Sequence, residues 1–229
     1  DNLKEYCKEN KTPCLGLSDT SNLCGALEFA ENISKVGTQP IIGTQIYFRF
    51  EDTTGLLPLI ALNEKGYKRI IELSSRSYLE NDALSDPHLD IKELLTNTDG
   101  VILLSGTIQG LFGKLFEKGR LDEITKIYKS LLSKFHDRFY LEIQRHGDQN
   151  ENAFEKFNLE QSSKIKLPII ATNEVYYLTQ DMHEAHDALT CIGSKTYVNE
   201  KNRVKYSNQH YLKSNEEMSL LFLDLPEAL

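Results

Sequence analysis

The sequence predicts an α/β fold in which a mostly parallel sheet closes into a barrel. Apolar β-branched runs alternate with segments of helical periodicity along the 229 residues, a pattern typical of such sheets. Several runs also end in polar residues: within residues 167–177, Leu-Pro-Ile-Ile gives way to Thr-Asn-Glu. Active sites of β/α barrels lie at the carboxyl ends of the strands. Polar groups from four separate strands converge only if the sheet closes or nearly closes, which favours a barrel over an open sheet.

The first half of the chain follows this alternation. Gly37 ends one helix because a residue without Cβ suits the left-handed conformation there, and Asn63 caps the next. Alternation after Gln45 indicates a strand that returns as a hairpin. The predicted elements are a helix over 2–9, a strand over 14–18, a helix over 23–36, strands over 40–50 and 56–62 joined by a turn over 51–55, and a helix over 64–79 with Tyr67, Ile70, Ile71 and Leu73 inward.

The second half repeats the pattern. Pro87 marks a loop, Gly119 separates two helices, and Ser214 with Glu217 forms a capping box for a last helix. The predicted elements are a loop over 81–90, a short helix over 91–95, a strand over 101–104, helices over 110–116 and 121–135, a strand over 138–144, a helix over 151–164, the strand from 167, a helix over 181–192 with an apolar stripe at Met182, Ala185, Leu189 and Ile192, an irregular segment over 193–207, and a short strand at Tyr211–Leu212.

Composition excludes several classes of protein. The net charge of −8, from 26 basic and 34 acidic residues, argues against this chain gripping a DNA backbone on its own. No G-x-G-x-x-G or P-loop motif is present, and no apolar run approaches the ~20 residues that span a bilayer. The four cysteines show no C-x-x-C spacing, which indicates buried thiols in a reducing cytoplasm. The chain starts at Asp1 without Met, so we expect a piece of a longer protein.

The polar strand ends suggest a metal site for phosphate-ester hydrolysis, but histidines are scarce there. None of the six histidines lies at the carboxyl end of a predicted strand, and only His146, in the loop after Gln144, is a candidate ligand. His183 and His186, spaced i and i+3, are a weaker alternative pair. Two of the acids also have possible structural roles, because Asp19 could cap the following helix and Glu142 could pair with Arg138 or Arg145.

Four stretches carry a resemblance to a known family. Residues 17–26 (LSDTSNLCGA) resemble L-T-D-H-G-N-L-F-G-A, and residues 40–45 (PIIGTQ) resemble P-I-I-G-x-E. Residues 140–147 (YLEIQRHG) resemble Y-L-E-L-Q-R-H-G, and residues 171–177 (ATNEVYY) resemble A-T-N-D-V-H-Y. Together with 184–187 and 211–214, they make the chain similar, nearly end to end, to the polymerase-and-histidinol-phosphatase (PHP) domain of bacterial replicative DNA polymerase III alpha subunits, the C-family polymerases.

The resemblance implies a distorted seven-stranded β/α barrel of the TIM-like, PHP type, whose first strand is missing from this sequence. It implies a barrel domain over 1–192 and a connection toward the polymerase palm over 193–229. The missing strand would leave a gap with exposed apolar surface and lower the stability. Metal-bearing members bind ions through an N-terminal H-x-H, the His of T-D-H, the Glu after P-I-I-G, further histidines, and the Asp and His of A-T-N-D-x-H.

This chain departs from that ligand set at most positions. Thr20, Gln45 and Tyr176 replace two histidines and a glutamate, Glu174 replaces the aspartate, and Leu56 stands where another histidine is expected. Losing several direct ligands should abolish a metal site, since even an indirect partner is worth ~10–100-fold in affinity. We therefore expect no catalytic residue and no metal in this domain, only a vestigial site at Asp19, Thr20, Gln45, Glu142, His146, Asn173, Glu174 and Tyr176.

The resemblance implies a cytoplasmic DNA-directed DNA polymerase that uses Mg²⁺ elsewhere in its chain. This domain would be a catalytically degenerate platform for the rest of the polymerase, the proofreading (epsilon-type) exonuclease and other replicase subunits, meeting DNA only through the parent protein and no membrane. The alternative is an active metal-dependent phosphoesterase or 3′–5′ exonuclease that uses Asp19, Glu142, Glu174 and His146. A small-molecule barrel enzyme remains only if the motif matches are accidental.

Overall fold

The structure is a computed structural model that describes residues 2–82 and 85–229, so positions 83 and 84 of the predicted loop over 81–90 lie outside the described residues. Its single sheet contains seven strands: β1 (Cys14–Thr20), β2 (Gln39–Phe50), β3 (Thr53–Ala61), β4 (Leu89–Asp90), β5 (Val101–Leu104), β6 (Phe139–Ile143) and β7 (Ile169–Ala171). The strand order is β1-β2-β3-β5-β6-β7, and β4 pairs with the far end of β2.

Eight α-helices accompany the sheet in the described part of the chain: α1 (Asn2–Glu9), α2 (Ala26–Ser34), α3 (Glu64–Leu79), α4 (Leu111–Glu117), α5 (Leu121–Phe135), α6 (Glu151–Ile165), α7 (His183–Ser194) and α8 (Asn215–Leu221). The predicted short helix at Ile91–Leu95 is a 3-10 helix. Asn63 caps α3 through its side chain, and Ser214 with Glu217 forms the predicted capping box of α8. None of these helices is both long and apolar enough to cross a membrane.

The sheet is an open half-barrel with mixed strand directions. β1/β2, β5/β6 and β6/β7 are parallel, whereas β3 runs antiparallel to both β2 and β5. The predicted hairpin between β2 and β3 is confirmed, and Glu51 supports its tight turn at φ 53°. Within the described residues the outer edges of β1 and β7 pair with no strand. A missing first strand between them stays a prediction.

Several predicted boundaries were wrong for local reasons. The second helix starts at Ala26 instead of residue 23, because Asn22 Oδ1 accepts a hydrogen bond from the Cys24 amide and holds a turn there. Residues 53–55 belong to β3 and not to the turn. Gly55 was misleading because its role is close packing: a Cβ there would lie 2.4 Å from the Leu111 amide nitrogen. The predicted loop over 81–90 also ends in the short strand β4.

The main core lies between the sheet and helices α3 to α6. Phe112, Tyr128 and Phe139 are fully buried and meet edge to face, with ring centroids 4.7 and 5.6 Å apart. Ile71 was wrongly predicted to face inward and is 41% exposed. The inward face of α3 carries Arg69 beside Ile70 and Leu73, and the Arg69 guanidinium bonds to the Glu93 carbonyl and to Thr96.

The cysteines divide into two pairs, and all four are free thiols. Cys7 and Cys191 are buried as predicted, whereas Cys14 and Cys24 are exposed. The prediction of four buried thiols was therefore wrong for two of them. Cys14 opens the edge strand β1, where its side of the strand receives no cover from a neighbour.

Candidate functional site

Polar side chains gather where the strands β1, β6 and β7 end and beside the middle of β2, and we call this part of the half-barrel the mouth. The prediction that Gln45 ends its strand was wrong, because β2 continues to Phe50 through its pairing with β3. Asp19 and Thr20 pair in register with Thr44 and Gln45 on the neighbouring strand. Across the open side of the sheet, Gln45 Nε2 lies 3.4 Å from Glu174 Oε1, which joins β2 to the segment after β7. The sheet therefore curls far enough to bring both ends of the mouth together.

Glu142 is the most deeply buried carboxylate of the mouth, only 5% exposed. One oxygen accepts hydrogen bonds from Gln144 Nε2, at 3.0 Å, and from the Thr172 hydroxyl. The other oxygen, Oε2, is buried and has no hydrogen-bond partner among the described residues. Burial, with a smaller contribution from the charge of Glu174, raises the pKa of Glu142 to about 7.

Neither arginine suggested as a partner of Glu142 pairs with it. Arg138 donates to the carbonyls of Thr98 and Val101. Arg145 binds both oxygens of Glu155 instead. The predicted ion pair of Glu142 was therefore wrong, and its carboxyl group lies in an apolar, hydrogen-bonded environment.

His146 is buried in the loop after β6 and is held in its neutral form. Its backbone amide and that of Gly147 both donate to the carboxylate of Glu151. Its Nε2 lies 3.0 Å from Asn173 Oδ1. Because that oxygen also accepts from Lys213 Nζ, it is the acceptor, so we assign the ring proton of His146 to Nε2. Burial, and then the neighbouring His210, lower the pKa of His146 to about 3.

His210 is one of two residues of the mouth that sequence reasoning missed; the other is Lys213. It is 1% exposed and stacks on His146, with ring centroids 3.9 Å apart and planes 8° from parallel. Its Nδ1 donates to the Glu174 carbonyl at 3.1 Å, and its buried Nε2 has no partner in the part of the chain that the structure describes. Its position in the sequence could have indicated it, since His210 directly precedes the Tyr211–Leu212 segment that matches the family motif.

Asn173 fastens the segment around His210 to the mouth. Its Nδ2 donates to the Tyr211 carbonyl at 2.7 Å, and its Oδ1 accepts from Lys213 Nζ at 3.1 Å. Lys213 is only 9% exposed and also donates to the Gln209 carbonyl. Burial lowers the pKa of Lys213. Residues 209–213, the strap, therefore bring an ammonium group and an imidazole into the mouth.

Tyr176 lies at the outer side of the mouth, 39% exposed. Its ring stacks on His186 at 5.2 Å and contacts Tyr206 at 4.5 Å. Burial of its hydroxyl and the nearby Glu174 raise the pKa of Tyr176. His183 Nε2 lies 2.9 Å from the Tyr206 carbonyl, so this nitrogen is engaged by the backbone. The suggested pairing of His183 with His186 on an ion stays a prediction.

Asp19 and Thr20 complete the predicted set at the β1 edge. Asp19 is half-buried and Thr20 is exposed. The alternative in which Asp19 caps α2 was wrong, because Gly25 occupies the N-cap position and no side chain caps it. The Asp19 carbonyl instead accepts from the Thr44 hydroxyl at 2.6 Å.

The donor set does not fit the multinuclear metal centre of metal-bearing PHP domains. Gln45, Thr20 and Tyr176 bring no negative charge at neutral pH, and His146 Nε2 carries a proton toward Asn173. Lys213 places a positive charge beside the same amide. Among the residues that the structure describes, no three His, Cys, Asp or Glu side chains are grouped to hold an ion.

The C-terminal segment, residues 215–229, packs against β6 and β7. Phe222, Leu225 and Ala228 form a small apolar cluster with Ile143. Arg145 bonds to the Leu221 carbonyl at 2.8 Å and to both oxygens of Asp224, and its guanidinium lies 4.6 Å from the centre of the Phe222 ring. This arginine holds the pKa of Asp224 below its usual value. The boundary at 192/193 between barrel and connection stays a prediction.

Fold and mouth together define the class: an α/β half-barrel with a polar site at the carboxyl ends of its strands. The model of one family, described as the PHP domain, matches residues 1–146. The chain belongs to the PHP domain family, which confirms the resemblance carried by the motifs.

Relatives narrow this assignment. The chain is 36% identical over 237 residues to DNA polymerase III subunit alpha of Caulobacter vibrioides, covering 100% of this chain and 21% of the relative. It is 35% identical to the alpha subunit of Vibrio cholerae, over 95% of this chain and 19% of that relative. It is 34% identical to the alpha subunit of Rickettsia bellii, over 100% of this chain and 20% of that relative. The chain thus spans about a fifth of the length of these relatives.

One solved structure, from Bifidobacterium adolescentis, is described as that of a proposed metal-dependent phosphoesterase. It matches with a TM-score of 0.47 and 13% identity, over 75% of this chain and 80% of that one. At that level the likeness carries no argument about the function of this chain.

Proposed function

We propose that this chain is the PHP segment of a DNA polymerase III alpha subunit, a cytoplasmic DNA-directed DNA polymerase that uses Mg²⁺ in its polymerase site. The observation that supports this is the extent of the sequence match. Alpha subunits from different bacteria match this chain over 95–100% of its length at 34–36% identity. The polymerase chemistry would belong to the four-fifths of such subunits that the chain does not span.

Within that subunit, we infer that this domain is a platform without a hydrolytic site. The supporting observation is that the mouth is filled by the chain itself: the strap inserts His210 against His146 and Lys213 against Asn173. The eight vestigial positions would then be Asp19, Thr20, Gln45, Glu142, His146, Asn173, Glu174 and Tyr176. Such a platform would serve the rest of the polymerase chain, other replicase subunits and a proofreading exonuclease.

A second candidate function rests on Glu142. A carboxyl group with a pKa of about 7 and one unpartnered buried oxygen has the properties of a general acid or base. With Asp19, Glu174 and His146 it could form an acid-rich phosphoesterase or exonuclease site. Glu142 is however engaged by Thr172 and Gln144 and is almost sealed from solvent, which favours the platform.

The two candidates differ in metal content and in phosphodiesterase activity. The full-length subunit, purified without chelator, is analysed for Mn, Fe and Zn and assayed for metal-dependent release of p-nitrophenol from a phosphodiester. The platform predicts only trace metal and no activity above that of Glu142→Gln. Two or three tightly bound ions, with activity lost in Glu142→Gln but kept in the exposed control Glu227→Gln, would establish the phosphoesterase instead.

A further inference from the structure

Helix α7 turns an apolar face to solvent. Of its twelve residues only Cys191 is buried. The stripe that the sequence predicts at Met182, Leu189 and Ile192 is 42%, 65% and 75% exposed. Such a stripe ordinarily marks the side of a helix that packs on a core. Here it has no partner among the described residues.

The opposite side of α7 is fixed, so the stripe cannot turn inward. Arg203 binds both oxygens of Asp187, at 2.6 and 2.8 Å, and both side chains of this pair are nearly buried. His183 adds a hydrogen bond to the Tyr206 carbonyl, and Tyr176 stacks on His186. Rolling the stripe toward the domain would break these contacts and leave the guanidinium unpaired, which is costly.

The same arginine extends the apolar surface into the loop that follows the helix. Arg203 also donates to the carbonyls of Val198, at 3.0 Å, and Val204, at 3.3 Å, which holds the loop alongside α7. In this loop Tyr197 is 74% exposed and both valines are 58% exposed. We call the combined surface the α7 face; it consists of Met182, Leu189, Ile192, Tyr197, Val198 and Val204.

The charges that flank the α7 face differ between its two ends. Lys195, Lys201 and Lys205 are all exposed in the loop, where the carboxylate of Glu200 is engaged by the Tyr197 amide. Asp181 and Glu184 are exposed at the start of the helix, so the loop end is positive and the helix start is negative. An apolar centre with a charged rim is the usual anatomy of a protein interface, and monomers rarely leave such a patch uncovered.

We propose that the α7 face is the interface with the part of the full-length subunit that this chain does not span, and that the covering segment is apolar with acidic residues opposite the three lysines. The proposal rests on the proposed function, because about four-fifths of the length of the alpha-subunit relatives lies outside the stretch that this chain matches. A covering segment on the same polypeptide is present at high effective concentration, so a modest apolar contact suffices to keep it docked.

The test uses amide hydrogen exchange in the full-length subunit. We expect the amides of residues 185–192 to be protected, and to exchange about tenfold faster or more in the double variant Leu189→Glu/Ile192→Glu, because two carboxylates would enter an apolar contact. The matched control is Leu27→Glu/Leu79→Glu, at leucines that are 73% and 80% exposed on α2 and α3. The control should leave exchange in α7 unchanged.

Three results would overturn the proposal. Exchange in α7 that is fast in the wild type and unchanged in the variant would show an open face. A subunit dimer that Leu189→Glu/Ile192→Glu dissociates would assign the face to a second copy. Protection that appears only after the exonuclease subunit is added would assign it to that partner. DNA synthesis by the wild-type subunit on a primed template, measured in parallel, tests the proposed function separately, so the two failures can be told apart.

Discussion

The helical side of the sheet and its mouth are both well ordered, but they are built in different ways. The helical side consists of apolar residues that lie close in sequence within each element, such as Ile124, Tyr128, Leu131 and Phe135 along α5, all at most 1% exposed. The mouth consists of polar residues from five distant segments, and its buried members are held by hydrogen bonds to one another. The first depends on packing, whereas the second depends on hydrogen bonding and on which groups are charged.

The largest effect is expected on the packed side. Leu131→Ala removes a side chain that is fully buried in α5 and leaves a cavity, so the free energy of unfolding should fall by ~2–5 kcal/mol. Leu121→Ala makes the same chemical change in the same helix where the leucine is 41% exposed, and should cost less than ~1 kcal/mol. Urea unfolding of both variants measures the difference. Equal losses would mean that this side is not the main source of stability.

A smaller effect is expected where the C-terminal segment joins the mouth. Arg145→Met keeps much of the apolar stem but leaves Glu155, which is largely buried, and Asp224 without their cation. We expect the free energy of unfolding to fall by ~2–3 kcal/mol and exchange in α8 to rise. Lys68→Met, which breaks an exposed pair with Glu64, is the control and should cost less than ~1 kcal/mol. An unchanged α8 in Arg145→Met would show that apolar packing alone holds this segment.

The same contrast explains what the sequence could and could not predict. The elements of the helical side follow from periodicity and caps, so α3, β5 and α5 were predicted almost to the residue. The polar ends of β1, β6 and β7 were also predicted, because an apolar run that turns polar is visible locally, whereas Gln45 lies inside β2. His210 and Lys213 were missed because their place in the mouth depends on how the strap crosses it, and no local pattern encodes that path.

The apolar stripes on α5 and α7 show a second limit of sequence patterns, which is that they do not determine whether a stripe is buried. Each is amphipathic in sequence, yet one is buried and the other exposed, because what covers a stripe is decided by the surrounding chain. Periodicity therefore predicts that a face needs a partner, but it does not say where the partner lies. The exposed thiol of Cys14 has a similar cause, since it lies on the exposed face of β1 and the surrounding chain decides which face is covered.

The smallest effect, and the most specific to the mouth, is a dependence of stability on pH. The folded-state pKa of Glu142 is raised to about 7 from an ordinary 4.5, so folding favours the protonated form. Its contribution is fully present below about pH 4.5 and is lost as the pH rises through about 7. The two buried histidines act in the opposite sense, because their lowered pKa values cost stability as the pH falls below about 6.5.

Glu142→Gln isolates the carboxylate from the histidines. Glutamine keeps an oxygen to accept from Thr172 and Gln144 but cannot ionise, so the variant should gain ~1–2 kcal/mol relative to wild type between about pH 5 and about pH 8. Glu160→Gln, at an exposed glutamate paired with Lys164, should show no such relative change. Urea unfolding at a series of pH values measures both. A difference between Glu142→Gln and wild type that stays constant across this range would mean that Glu142 is ionised throughout, and that the mouth tolerates a buried charge that packing on the helical side would not.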